Sequence, residues 1–140
     1  MLLVSPFHAA YPVSELEKTI VFYTDVLGCS MGRSDTTWVD FNLFGHQLVF
    51  HKVNGFEQRH YFNPVDKHNV PVPHFGVVLT WDKWQPFVDR LTHHKISFEI
   101  EPHIRFEGQV GEQATMFFYD PNRYALEFKA FRSMDMLFES

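Results

Sequence analysis

Apolar positions along this chain change period several times, and the changes come in the same order in each half. The segment Phe7-His8-Ala9-Ala10-Tyr11 reads as a strand, with a histidine and a small residue two positions on. Ser14-Glu15-Leu16-Glu17 then has the spacing of a capping box, and Leu16, Ile20, Tyr23 and Leu27 form an apolar stripe at helical spacing. Gly28 supplies the stop. Cys29 and Met31 open a return strand, Trp38 to Leu43 reads as another, and the turn Phe44-Gly45 leads into His46 to His51, so the last two predict a hairpin. From Lys52 to Val70 the pattern dissolves into Gly, Asn, Asp, Pro and charged residues, which predicts a long loop with His60 and His68 solvated.

The second half repeats the order. Val72 to Leu79 is a β-branched and aromatic run with His74, Gly76 and Val78 on one face and Phe75, Val77 and Leu79 on the other. A helix beginning between Asp82 and Gln85 carries Trp84, Phe87, Val88 and Leu91, with Pro86 near its first turn and His93-His94-Lys95 at its cationic end. Ile96 to Ile100 reads as a strand, Glu101 to Glu112 as a polar loop, Ala114 to Tyr119 as a strand, and Arg123 to Phe131 as the last strand after the Asp120-Pro121-Asn122 turn. Each half therefore reads strand, helix, three strands, an internal duplication. The expected fold is α+β: two paired βαβββ modules forming a metal-holding cup, at residues 1–53 and 73–131, with a connector at 54–72 and a tail at 132–140.

Composition narrows the partners. A formal net charge of −5 argues against nucleic acid, which wants a basic face. One cysteine leaves no internal disulfide framework and suits a reducing cytoplasm, and no apolar run is long enough for a membrane span. Met1-Leu2-Leu3-Val4 lacks the basic start of a signal peptide, so a cytoplasmic location is expected. The apolar tail from Met134 to Phe138 has no assigned partner, in keeping with a homodimer.

His8 and His74 occupy equivalent strands of the repeat, each with a small residue two positions on, Ala10 and Gly76. On the last strand Glu127 lies opposite the apolar positions Tyr124, Leu126 and Phe128, and has Ala125 beside it. Two imidazoles and a carboxylate with open coordination positions are the facial set of non-heme Fe(II) oxygenases, and the same trio can hold Zn, Mn or Ni. A divalent transition metal on His8, His74 and Glu127, with Fe(II) favoured, is the expected cofactor. In the polar loop Arg105 could clamp a substrate carboxylate or enolate oxygen and Gln113 could hydrogen-bond substrate.

The strings FHAAYPVSELEKTIVFYTDVLGC, VPHFGVVL and DPNRYALEFKAF resemble the vicinal oxygen chelate superfamily end to end, the family of glyoxalase I, extradiol ring-cleaving dioxygenases and the fosfomycin- and bleomycin-resistance proteins. The resemblance puts the family's ligand positions on His8, His74 and Glu127 and implies an enzyme with a small-molecule substrate and a dimeric state. Matching Gln47–Phe50 to Tyr124–Glu127 puts Phe50 where glyoxalase I has a fourth ligand, implying three protein ligands and a partly apolar substrate cavity lined by Phe50. His46 matches a second-sphere histidine of the extradiol enzymes and, by alternation, shares the face of Phe50, which implies acid–base work. The tyrosine of those enzymes corresponds to Phe117, a substrate-lining residue here, with Tyr119 two positions on as its substitute. The resemblance points first to an extradiol-type dioxygenase acting on a small vicinal-oxygen substrate. A glyoxalase-like lyase or isomerase, a thiol transferase, and a non-catalytic drug-binding protein are the alternatives.

Overall fold

The computed structural model describes residues 4–139, and the chain divides into two compact units, Met1–Gln58 and Arg59–Ser140. In the first, β1 (His8–Val13) is followed by α1 (Leu16–Val21), a π-helical turn at Phe22–Val26, and the strands β2 (Ser30–Ser34), β3 (Trp38–Leu43) and β4 (His46–Lys52). The second opens with a hairpin of β5 (Tyr61–Val65) and β6 (His68–Val72). Then come β7 (His74–Thr80), α2 (Trp81–His93), β8 (Phe98–Arg105), β9 (Gln113–Tyr119) and β10 (Ala125–Phe131). A short 3-10 turn, Met134–Met136, follows in the tail. No helix among the described residues is long and apolar enough to cross a membrane.

Both units close the same way. The four-stranded sheets run β1-β4-β3-β2 and β7-β10-β9-β8, so each first strand pairs with the last, in parallel, and the helix between them covers one face. This is the paired βαβββ architecture expected from the repeat. In the first unit the covered face is built from Tyr23, Phe41 and Phe50, with ring centroids 4.9 to 6.1 Å apart. In the second, Phe87 of α2 meets Phe128 at 4.5 Å, and Phe128 stacks on Phe118 at 5.8 Å. Aromatic pairs at such distances add to the area they bury.

Several local expectations give way. Ser14 forms no capping box: Glu15 is the N-cap, without a side-chain cap, and the Thr19 hydroxyl instead donates to the Glu15 carbonyl at 2.6 Å. The helical stripe ends in a π turn, which lets Tyr23 and Leu27 both reach the core. α2 starts at Trp81, so Pro86 stands inside it. β8 runs on to Arg105 and takes in half of the expected polar loop. The segment read as loop contains the β5–β6 hairpin, whose tip residues Asp66 and Lys67 both have positive φ, at 47° and 68°. Two left-handed residues in succession make a turn matched to strand twist, and neither residue is the usual Asn or Gly signal.

Candidate metal centre

The face of the second sheet turned away from α2 carries the chemistry. Register places Ala125 beside His74 and Glu127 beside Gly76, so His74, Gly76, Ala125 and Glu127 all point to that face. Gly76 is required by contact. A Cβ built there would sit 1.5 Å from the Glu127 carbonyl oxygen, so no side chain fits where β10 crosses β7. The small residue two positions after His74 is thus what lets the strand bearing Glu127 approach the strand bearing His74.

His74 Nε2 lies 3.2 Å from Glu127 Oε1. Each partner is fixed from behind. His74 Nδ1 donates to the Pro71 carbonyl at 2.7 Å, which aims Nε2 at the carboxylate, and the Thr115 hydroxyl donates to Glu127 Oε2 at 2.6 Å. Two donors in adjacent positions on a transition metal at about 2.1 Å lie about 3.0–3.4 Å apart, so this spacing fits a shared cation. The backing hydrogen bonds are the kind that orient metal ligands. With no cation present, the hydrogen bond to Glu127 holds His74 above its ordinary pKa despite burial, helped by the Pro71 carbonyl. Burial would raise Glu127, but hydrogen bonds from His74 and Thr115, with Lys129 nearby, carry it below the usual carboxylate value. Both shifts favour the charged pair, and a cation would take the proton's place between them.

His8 belongs to the first unit, on the face of its sheet opposite the helix. It pairs with Gln47, Ala10 pairs with Val49, and Pro12 with His51. The residue matching Glu127 is therefore Val49, one position from the expected Phe50. Phe50 is fully buried under the helix against Tyr23 and Phe41, on the opposite face from His8. The register slips by one because Leu48 and Phe50 are the large apolar residues of β4, and burial assigns them to the helix side. His46 stands at the start of β4: its Nδ1 accepts the Phe7 amide at 2.8 Å, tying the start of β1 to β4, and it lines a cavity of the first unit with Asp40, Asn42 and Gln47. Val49 keeps the conclusion that the first module supplies no fourth ligand. Among the described residues no three His, Cys, Asp or Glu side chains converge as a metal-binding group.

A cavity of about 160 Å³ opens beside Glu127, between the β5–β6 hairpin and the sheet. Phe117 lines it and meets the His74 ring edge-on at 5.1 Å. Arg105 also lines it, but its guanidinium is paired with Asp66 at the hairpin tip. Gln113 does not line it, and its amide lies 3.5 Å from the Gly111 carbonyl. Tyr119 shares the face of Phe117 by alternation and packs on His60 at 4.9 Å and under Arg123 at 5.6 Å. Burial, followed by the Glu99 carboxylate, pushes its phenol up, so it is a proton holder rather than a ready base.

Sequence reasoning passed over four polar residues of this cavity: Thr115, Lys129, His68 and His103. Lys129 was within reach, since it stands two positions after Glu127 on one strand face. Thr115 needed the pairing of β9 with β10, and His68 needed the hairpin. His68 is exposed, as expected, and its ring stacks on His103 with centroids 4.8 Å apart. His60 is likewise engaged, its ring bonded to the Arg123 carbonyl.

No curated protein matches this chain. A glyoxalase/bleomycin resistance protein/dioxygenase from Alicyclobacillus acidocaldarius is 28% identical, covers 96% of each chain, and superposes with a TM-score of 0.78. An integron cassette protein from the mobile metagenome of Halifax Harbour sewage outfall is 25% identical over 91% of this chain and 99% of its own, with a TM-score of 0.68. The fosfomycin resistance protein FosX of Listeria monocytogenes shares the fold at 15% identity, over 97% and 98% of the two chains, with a TM-score of 0.66. The model of one family spans residues 5–128, strands, helices and His74–Glu127 pair together, and by that match this chain is a member of the Glyoxalase/Bleomycin resistance protein/Dioxygenase superfamily.

Proposed function

We propose that this protein is a metal-dependent enzyme of its superfamily in which His74 and Glu127, with His8 as third ligand, hold a divalent transition metal against a small substrate with neighbouring oxygens. The observation that carries the reading is the pair His74 Nε2–Glu127 Oε1 at 3.2 Å, each member pinned by a hydrogen bond from behind. A cation held there supplies Lewis-acid stabilisation to substrate oxygens as they gain negative charge. The chain's own part is to orient and to enclose. Thr115 and the Pro71 carbonyl keep the two ligands from rotating, Phe117 offers an aromatic wall, and the β5–β6 hairpin restricts water on one side.

Lewis-acid chemistry, as in a lyase, isomerase or group transferase, fits this site better than ring cleavage by O2. The second-sphere acid–base group that the dioxygenase reading leaned on was His46, and that imidazole already accepts the Phe7 amide in the first unit. Metal analysis and calorimetry test the proposal. About one equivalent of Mn, Zn, Ni or Fe(II) per chain is expected, lost in His74→Ala, Glu127→Ala and His8→Ala alike. Metal binding unaffected by Glu127→Ala would sink the reading. Oxygen uptake with a catechol panel, measured on the Fe(II)-loaded protein, would move it back to the dioxygenase class.

A further inference from the structure

The cavity beside Glu127 has a charge character at odds with the rest of the chain. The protein is acidic overall, at −5, yet the cavity is lined by Arg105, Lys129, His68 and His103, and its two carboxylates, Glu127 and Asp66, are both engaged. Register sets His103, Thr115 and Lys129 side by side across β8, β9 and β10, with Arg105 beside Gln113 in the next row of the same face. Adjacent strands are about 4.8 Å apart, so long side chains from β8 and β10 can meet over β9.

Lys129 Nζ lies 3.9 Å from Glu127 Oε1, inside ion-pair range but beyond a hydrogen bond. Once Glu127 binds a cation, as the proposed function requires, that attraction is cancelled and Lys129 faces a like charge. A third group, negatively charged and able to accept hydrogen bonds, restores the balance. Asp66 does not serve: it stands at the tip of the hairpin, 59% exposed, and is taken up with Arg105. An exposed ion pair of that kind is worth little, typically below about 1 kcal/mol, so a better acceptor displaces it readily. A planar guanidinium and a mobile ammonium together suit an oxyanion, with the His68 imidazole as a further donor; the Nδ1–H of His103 is committed to the Glu101 carbonyl.

We infer that this cavity takes a carboxylate- or phosphate-type group of the ligand between Arg105 and Lys129, and that Asp66 is the internal stand-in that Arg105 releases when that group arrives. The substrate is then an anionic small molecule whose oxyanion lies beside its metal-chelating oxygens. The inference rests on the metal reading for Lys129 but predicts anion binding that is measurable without turnover.

Calorimetry with inorganic phosphate and with acetate, at constant ionic strength, tests it on the full chain both metal-free and loaded with Mn(II). One of the two anions is expected to bind and to identify the class. Arg105→Gln and Lys129→Gln should each weaken binding at least about tenfold, the order of one lost charge-assisted hydrogen bond. Asp66→Asn should tighten it several-fold, and Arg105→Lys should recover part of the loss in Arg105→Gln. Binding of neither anion in either state overturns the inference, as does affinity indifferent to Arg105→Gln or weakened by Asp66→Asn. Anion binding in a protein that takes up no metal leaves this site standing and sinks only the metal reading. Metal uptake with no anion binding does the reverse.

Discussion

Thr115 brings no charge to the centre, yet it decides where one oxygen of Glu127 points. Replacing it with valine keeps the shape and removes the donor, so Thr115→Val should weaken metal binding about 10–100-fold while the fold survives, as read by calorimetry and thermal unfolding. In the metal-free protein the neighbouring pair sets its own pH window. His74 is raised above 6.5, so its contribution to stability is complete below the unfolded value and is lost as pH rises through the folded one. Glu127 is lowered below 4.5, so its contribution is present above the unfolded value and is lost as pH falls through the folded one. Urea midpoints of the metal-free wild type against Glu127→Gln, from about pH 3 to about pH 9, should therefore differ most in the middle and converge at both ends. At this scale His74 and Glu127 were legible because strand alternation and a small neighbour two positions away are printed in the sequence. Thr115 was not, because its meaning lies in which residue of β10 it faces.

Strands, helices and their order were legible because period-2 and period-3.6 apolar patterns report burial directly. What failed was register in β4 and the hairpin β5–β6. In β4 three apolar residues run together, Leu48, Val49 and Phe50, so alternation alone does not say which go inward; the bulk of Phe50 settled it against Tyr23. Phe50→Ala should accordingly cost about 3–5 kcal/mol of stability in denaturant titration, with metal and anion affinity unchanged at temperatures where the protein is folded. A cavity-lining Phe50 would give the opposite result. Gly76→Ala puts a methyl group onto the β10 backbone. Separating β7 from β10 should cost about 3 kcal/mol or more and should abolish metal binding even in whatever fraction folds, because His74 and Glu127 lose their common register.

Members of this superfamily commonly form dimers, and the tail leaves Phe138 93% exposed after a short 3-10 turn. We expect a homodimer by sedimentation. A mixing experiment then reports how His8 meets the other two ligands. His8→Ala and Glu127→Ala should each fail to bind metal alone; unfolded together and refolded as mixed dimers, they regain metal binding if His8 is donated by the second copy. They stay dead if all three ligands belong to one chain.

The pairing of each first strand with its last also has a consequence in time. During synthesis β7 leaves the ribosome long before β10, so it has no parallel partner while α2, β8 and β9 are being made, and His74 waits without its carboxylate. The first unit can close its own sheet with β4 well before β10 is made. Folding thus advances in two instalments, each released by the arrival of one strand, and neither can be hurried by local structure alone. A chain stalled just short of Ala125 should hold a protease-resistant first unit and a second that is still digestible.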